Sequence, residues 1–312
     1  MSADLAAPHQ VVEIADERER FLVDLFDALW VEYRSRVSYV RKYEEVVAHS
    51  GGAFFNDHIA FRTLARQRPQ VGIVTLSRLF EALGYVPANC YQFPDKHLRS
   101  IHYQHSNPRL PKLFITEMQT WKLTSTAQEI VAKTLANHPD PFADEDLTDL
   151  SNGSDPTDSH RQALLDSAKR WFSSPRWPMP KMSDVSAVNK ESQFAAWVLV
   201  HGYRVNHFTA LVNSHGVEAL DDIDKTVAAL REAGVPMKAE IEGVKGSKLR
   251  QTATEAVMTD VVAADGVFPW TYAYFEIAER GTVVDPETSR TGRFEGFLGP
   301  QATQLFEMTK VK

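Results

Sequence analysis

The feature that most constrains this chain is an internal repeat. A strand-like run opening at His58 is followed by a helical pattern over 72–83 ended by Gly84 and, after a loop, by strand-like runs over 98–104 and 112–121. The second half keeps that order: a strand-like run over 203–213, a helical pattern over 217–233 ended by Gly234, and strand-like runs near 249–261 and 271–279. Copies of one supersecondary unit pack in equivalent ways, so a repeat fixes which positions are spatially matched before any single residue is interpreted. Alignment sets His58 against His207, and Ile115-Thr116-Glu117-Met118-Gln119 against Tyr274-Phe275-Glu276-Ile277-Ala278. The histidine-to-glutamate interval is 59 residues in one copy and 69 in the other, a difference that loops of unequal length absorb.

Four segments follow from this reading. Residues 1–50 form a helical N-terminal cap, with Phe21, Leu22, Leu25, Phe26 and Leu29 at helical spacing. Residues 51–121 hold the first copy. Residues 122–190 are a helical and loop insertion around a polar break at 138–160, and 191–312 hold the second copy and a closing segment. At 312 residues and 43% hydrophobic, the chain has enough apolar material to bury the core of one large domain or two fused modules.

Charge limits the partners. A formal net charge of −7 and a pI near 5.9 leave no basic surface for a phosphate backbone or an anionic membrane. Any anionic substrate must therefore be held by a few locally placed cations. The single cysteine, Cys90, rules out an internal disulfide and a Cys-rich zinc cluster, and fits a reducing compartment. It sits in Pro87-Ala88-Asn89-Cys90-Tyr91 and reads as a bystander thiol. No secretory signal or apolar run of membrane-spanning length is visible, so the expected location is cytoplasmic.

Two histidines and one carboxylate with open positions are the usual site of non-haem Fe(II) oxygen chemistry, and strand geometry permits that set here. Side chains two apart share a strand face, which groups His58, Ala60 and Arg62, then His207, Thr209 and Leu211, then Tyr274, Glu276 and Ala278. Any one of the 11 histidines is more often a hydrogen-bonded structural residue than a ligand. The repeat-matched pair, with a glutamate on an apolar strand where burial is costly unless it is paired or coordinated, favours a metal on His58, His207 and Glu276. Glu117 is the alternative carboxylate. His97, His102 and His105 read as surface or structural groups, with 97 and 102 on opposite strand faces.

Arg62 follows His58 on the same face, roughly 13 Å away between Cα atoms. An acid chelating the metal at one end would present a second carboxylate to its guanidinium. Arg250 and Gln251, with Lys248, are further candidates to line the pocket from the second copy. The stretch Gly296-Phe297-Leu298-Gly299-Pro300-Gln301, then Leu305-Phe306, reads as a loop and short helix packing into the core, with closure of the cavity as the other possibility.

At these residues the chain resembles the 2-oxoadipate dioxygenase/decarboxylase family, once a domain of unknown function, within the vicinal oxygen chelate superfamily. The matching pieces are Asp57-His58-Ile59-Ala60-Phe61-Arg62-Thr63, Val205-Asn206-His207-Phe208-Thr209, Tyr274-Phe275-Glu276-Ile277-Ala278-Glu279-Arg280-Gly281 and Leu305-Phe306-Glu307. The resemblance implies an α+β fold of two βαβββ modules forming a curved mixed sheet around one Fe(II), with His58, His207 and Glu276 as ligands and Arg62 on the distal carboxylate of a 2-oxo dicarboxylic acid. It implies that the substrate chelates Fe(II), that O2 binds beside it, and that 2-oxoadipate yields 2-hydroxyglutarate and CO2, a step of lysine catabolism. Two other classes fit the same residues: a Zn or Ni lyase or isomerase of glyoxalase type, with Glu117 as an added carboxylate or base, and a non-enzymatic small-ligand-binding protein.

Overall fold

The computed structural model describes residues 7–140, 142–153, 158–284, 289–298 and 309. The N-terminal cap comprises α1 (Glu17–Arg36) and α2 (Tyr39–His49). The Asp16 carboxylate accepts the Glu19 N–H at 3.0 Å and so caps α1, while Glu17 and Glu19 occupy the first turn, where the helix dipole favours anions. Phe21, Leu22, Leu25, Phe26, Leu29 and Trp30 recur along one stripe and are all buried.

The first copy runs β1 (Asn56–Gln67), a short β2 (Gln70–Val71), α3 (Ile73–Ala82), β3 (Val86–Phe93), β4 (Leu98–Gln104) and β5 (Lys112–Gln119). Five helices follow: α4 (Ser125–Thr134), α5 (Asp144–Asn152), α6 (Asp158–Ser173), α7 (Met182–Glu191) and α8 (Gln193–His201). The second copy is β6 (His207–Leu211), α9 (Ile223–Glu232), β7 (Leu249–Ala253), a hairpin of β8 (Met258–Ala263) and β9 (Gly266–Thr271), then β10 (Glu276–Arg280). A small pair, β11 (Thr282–Val284) and β12 (Thr291–Arg293), follows.

The main sheet has the order β3-β4-β5-β1-β6-β10-β7, with β2 paired to β1. Its centre is the antiparallel pair β1 and β6, in which His58 faces Thr209 and Ala60 faces His207. That crossed pairing is a pseudo-twofold relation: it carries His58 onto His207 and Ala60 onto Thr209. Each central strand then has a parallel neighbour, β5 beside β1 and β10 beside β6, so the sheet is mixed, as two βαβββ modules require. The edge strand of the second module is reduced to two bridges, Met237 to Thr254 and Glu242 to Gln251. The β8–β9 hairpin leaves the sheet altogether, and its insertion before β10 is what lengthens the second copy.

One sheet face packs on helices through Ile59, Phe61 and Phe208. Phe208 meets Trp30 of α1 edge-on at 5.0 Å between centroids and Tyr33 at 5.1 Å, and Phe61 meets Phe172 of α6 at 5.0 Å. Such aromatic contacts add about 0.5–1.5 kcal/mol each beyond the area they bury.

Several elements differ from the sequence expectation, among them α5 inside the expected polar break, β3 and α8. β3 was expected to be loop; it is an exposed edge strand carrying Pro87, Asn89 and a register shift, all of which depress a strand signal. Cys90 is exposed on it. α8 has no amphipathic period because Phe194 to His201 are all buried, and a helix apolar all round gives no stripe to detect.

Candidate metal centre

β1, β6 and β10 bring His58, His207 and Glu276 together on the sheet face opposite α1, with ligand atoms all within 4.8 Å of one another. His58 Nε2 lies 3.5 Å from Glu276 Oε1, and His207 Nε2 lies 3.8 Å from Glu276 Oε2. The rings are 5.4 Å apart and nearly perpendicular. Glu276 is fully buried, and among the described residues its carboxylate has no cationic partner, its one hydrogen-bonding neighbour being the Thr209 hydroxyl, which also lies 3.0 Å from His58 Nε2. Burial pushes its carboxyl well above the usual range and pushes the His207 imidazole well below its own; burial also lowers His58. Neutral imidazoles and a buried carboxylate without a counterion are a donor set that a divalent cation would complete, since an unpaired buried charge is otherwise strongly disfavoured.

Each imidazole is steered by its preceding residue. His58 Nδ1 meets Asp57 Oδ2 at 2.8 Å, and His207 Nδ1 meets Asn206 Oδ1 at 3.1 Å. Burial alone would raise the Asp57 carboxyl, but the Arg280 guanidinium and Lys112 overcome this and hold it well below its ordinary value. Arg280 binds Asp57 in a fork, Nε to Oδ1 at 2.5 Å and Nη2 to Oδ2 at 2.7 Å. Its Nη1 also donates to the carbonyls of Phe294 and Gly296 at 2.9 and 2.8 Å. This ties down the segment whose Phe297 ring stands 4.9 Å from the His58 ring. Phe297 and Leu298 line the cavity, so this stretch roofs the site rather than only packing the core; residues 299–308 lie outside the described residues.

A cavity extends from His58 and His207 past Asn206 and Thr116 to Arg62, walled by Phe114, Leu249 and Tyr274. Arg62 is buried between the rings of Phe194 and Trp197 of α8, at 4.9 and 5.1 Å, and burial brings its guanidinium down to about 10. Its Nη1 donates to Thr309 Oγ1 at 2.7 Å, and among the described residues no carboxylate pairs with it. Gln251 also lines the cavity, its amide donating to Glu242 at 3.1 Å.

Arg250 requires correction. It points to the opposite face of β7 from Gln251, where it binds Asp224 at 2.8 Å and Glu279 at 3.4 Å. The alternation of a strand separates adjacent residues in this way, so Arg250 does not line the pocket. Glu117 is displaced for a related reason. The parallel registers set Phe114 beside Ala60 and Glu276 beside Thr209, so the counterpart of Glu276 in the first copy is Phe114, not Glu117. Glu117 corresponds instead to Glu279. Glu117 accepts the N–H of Ile73 at the start of α3 and pairs with Arg99, while Glu279 accepts the N–H of Ile223 at the start of α9 and pairs with Arg250. Gly72 makes room for this, because a Cβ there would come within 2.6 Å of the Glu117 carboxylate.

Of the remaining histidines, His97 is exposed with a left-handed φ of 56°, and His105 bonds Leu83 O. His102 is buried behind the roof, its ring 5.1 Å from Phe297 and its Nδ1 3.0 Å from the Tyr91 hydroxyl. Sequence reasoning gave no role to Asp57, Asn206 or Arg280. The dipeptides Asp57-His58 and Asn206-His207, matched across the repeat, were the signal available.

The sequence profile described as 2-oxoadipate dioxygenase/decarboxylase matches residues 26–307. The chain belongs to the 2-oxoadipate dioxygenase/decarboxylase family. Among its relatives, the chloroplastic 2-oxoadipate dioxygenase/decarboxylase of Arabidopsis thaliana is 29% identical, over 81% of this chain and 67% of its own length. The hydroxyglutarate synthase of Oryza sativa, solved in complex with 2-oxoadipate, shares the fold at a TM-score of 0.78 and 24% identity, covering 99% of this chain and 98% of that one. A glyoxalase-superfamily protein from Ralstonia eutropha JMP134 shares it at 0.76 and 22% identity, covering 93% of each. This member of the family is thus α+β with a mixed sheet, a fold it shares with both of these structures. Among the described residues no helix is long and apolar enough to cross a membrane.

Proposed function

We propose that this chain is an Fe(II)-dependent dioxygenase that decarboxylates 2-oxoadipate, or a 2-oxo dicarboxylic acid of similar length, to 2-hydroxyglutarate, consuming one O2 and releasing one CO2. The observation that carries the reading is the asymmetry of the metal face: Glu276 sets a buried carboxylate without a counterion against two imidazoles, while its symmetry counterpart is Phe114. Three protein ligands on one side and a hydrocarbon wall where a fourth would stand leave coordination positions for substrate and O2.

In this reading His58 and His207 serve as neutral nitrogen ligands, held in orientation by Asp57 and Asn206. Arg62 takes the distal carboxylate, for which its burial without a described anionic partner suits it. Phe297, Phe114 and Leu249 keep bulk water from the reacting end. A bound Fe(II) would supply the open-shell chemistry that lets O2 react with the 2-oxo acid. A glyoxalase-type lyase with Glu117 as fourth ligand loses support, because that carboxylate faces α3. A metal-free binding module would bury Glu276 without a counterion. The proposed setting is the cytoplasm and lysine catabolism.

The test is O2 uptake by the protein loaded anaerobically with Fe(II), against a panel of 2-oxo acids, with product mass measured. Consumption of O2 with 2-oxoadipate and formation of 2-hydroxyglutarate support the reading. Turnover that persists without O2, or that zinc sustains, contradicts it.

A further inference from the structure

Asn206 carries more hydrogen-bonding capacity than the orientation of His207 uses. The residue is 1% exposed, its Oδ1 meets His207 Nδ1, and its Nδ2 has no partner. The amide orientation follows from chemistry: with His207 Nε2 facing Glu276 and a cation, Nδ1 keeps the proton and needs an acceptor, which only Oδ1 supplies. The NH2 is then left with both hydrogens unspent, which is unfavourable for a buried donor without a ligand.

The backbone N–H of Asn206 donates to Ala60 O at 2.9 Å, so the asparagine stands beside the stretch of β1 between His58 and Arg62. Asn206, Arg62 and Thr116 line the same cavity. Thr116 is already bonded to Ser100 at 2.7 Å, and one nitrogen of Arg62 is spent on Thr309. The pseudo-twofold counterpart of Asn206 is Asp57, which steers its imidazole as a carboxylate. Steering alone therefore does not require an amide.

Building on the proposed function, we propose that Asn206 is a substrate-binding residue whose Nδ2 donates to the distal carboxylate of the 2-oxo diacid, beside Arg62. A carboxylate has about four acceptor sites, and a single guanidinium partly engaged elsewhere leaves some unfilled.

The test is anaerobic calorimetric binding of 2-oxoadipate and of its monocarboxylate analogue 2-oxohexanoate to metal-loaded wild type, Asn206→Asp and Asn206→Ala, with metal content measured on each. Asn206→Asp keeps the acceptor for His207 and replaces the donor by an anion. The expected result is full metal content, a loss of about 10- to 100-fold in 2-oxoadipate affinity and 2-oxohexanoate affinity within about threefold of wild type. Asn206→Ala is expected to show the same selective loss in whatever fraction retains metal. Unchanged 2-oxoadipate binding by Asn206→Asp overturns the assignment while leaving the proposed function standing. Equal weakening of both acids also overturns it and reduces Asn206 to an orienting group. Failure of the metal-loaded wild type to bind either acid sinks both readings together.

Discussion

Phe114 and Glu276 hold the same place in the two halves of the sheet, each beside the residue two beyond its half's histidine, Ala60 in one and Thr209 in the other. One half therefore gives an imidazole and a carboxylate, and the other an imidazole and a hydrocarbon surface. The pseudo-symmetry of the fold thus builds a face with three ligands where a fully symmetric one would have four.

The first prediction concerns the carboxylate. Binding of Fe(II) at 100 times its dissociation constant should stabilise the wild type by about 2.7 kcal/mol. Glu276→Ala should lose that increment, yet unfold no earlier than the metal-free wild type, because it removes a buried acid that has no counterion among the described residues. Thermal melts with and without anaerobic Fe(II) measure both effects.

Asp57→Ala tests the support behind His58. Arg280 and Asp57 are both inaccessible, and removing one charge of such a pair strands the other, at about 3–5 kcal/mol. Metal affinity should also fall about 10- to 100-fold through the freed imidazole. Denaturant midpoints and a competitive chelator titration separate the two losses.

Arg62→Met should retain metal and lose about 10- to 100-fold in affinity for a dicarboxylate, as expected for a charged hydrogen-bonded contact. Arg250→Met should leave both metal and substrate binding intact, at about 1 kcal/mol of stability or less, because its partner Asp224 is half exposed. Steady-state KM and metal content for the two variants check the pair together.

Acid sensitivity should come partly from histidines away from the metal. Burial lowers His138 to about 4 and His201 to about 3, against an ordinary value of 6.5. The unfolded chain therefore binds more protons between those values, so stability is full above pH 6.5 and declines as pH falls towards 4 and then 3. His201→Gln should flatten that decline in the denaturant midpoint; an unaltered slope assigns it to other groups.

Much of this was legible in the sequence, for reasons that differ by residue. The strand-helix-strand order, the two histidines and Glu276 were readable because period-two and period-3.6 patterns survive in β1, α3, β6 and α9. The pairing of Glu117 with Glu276 was not, because sequence alignment follows apolar neighbours and tolerates a slip. Only the strand register shows that Glu117 answers to Glu279, each binding the first N–H of its own module's helix. Arg250 was misplaced because the alternation along β7 sets adjacent residues on opposite faces, and its phase was not fixed by residues 246–252 alone. The roof at Phe297 depends on Arg280 reaching two backbone carbonyls, a contact between distant residues that no local pattern announces.

The most direct measurement is an anaerobic Fe(II) titration of the wild type beside His58→Ala, His207→Ala and Glu276→Ala, followed by metal quantification after gel filtration. The account predicts one tightly held iron per wild-type chain and none in each variant. A full equivalent retained by any of the three variants would contradict it.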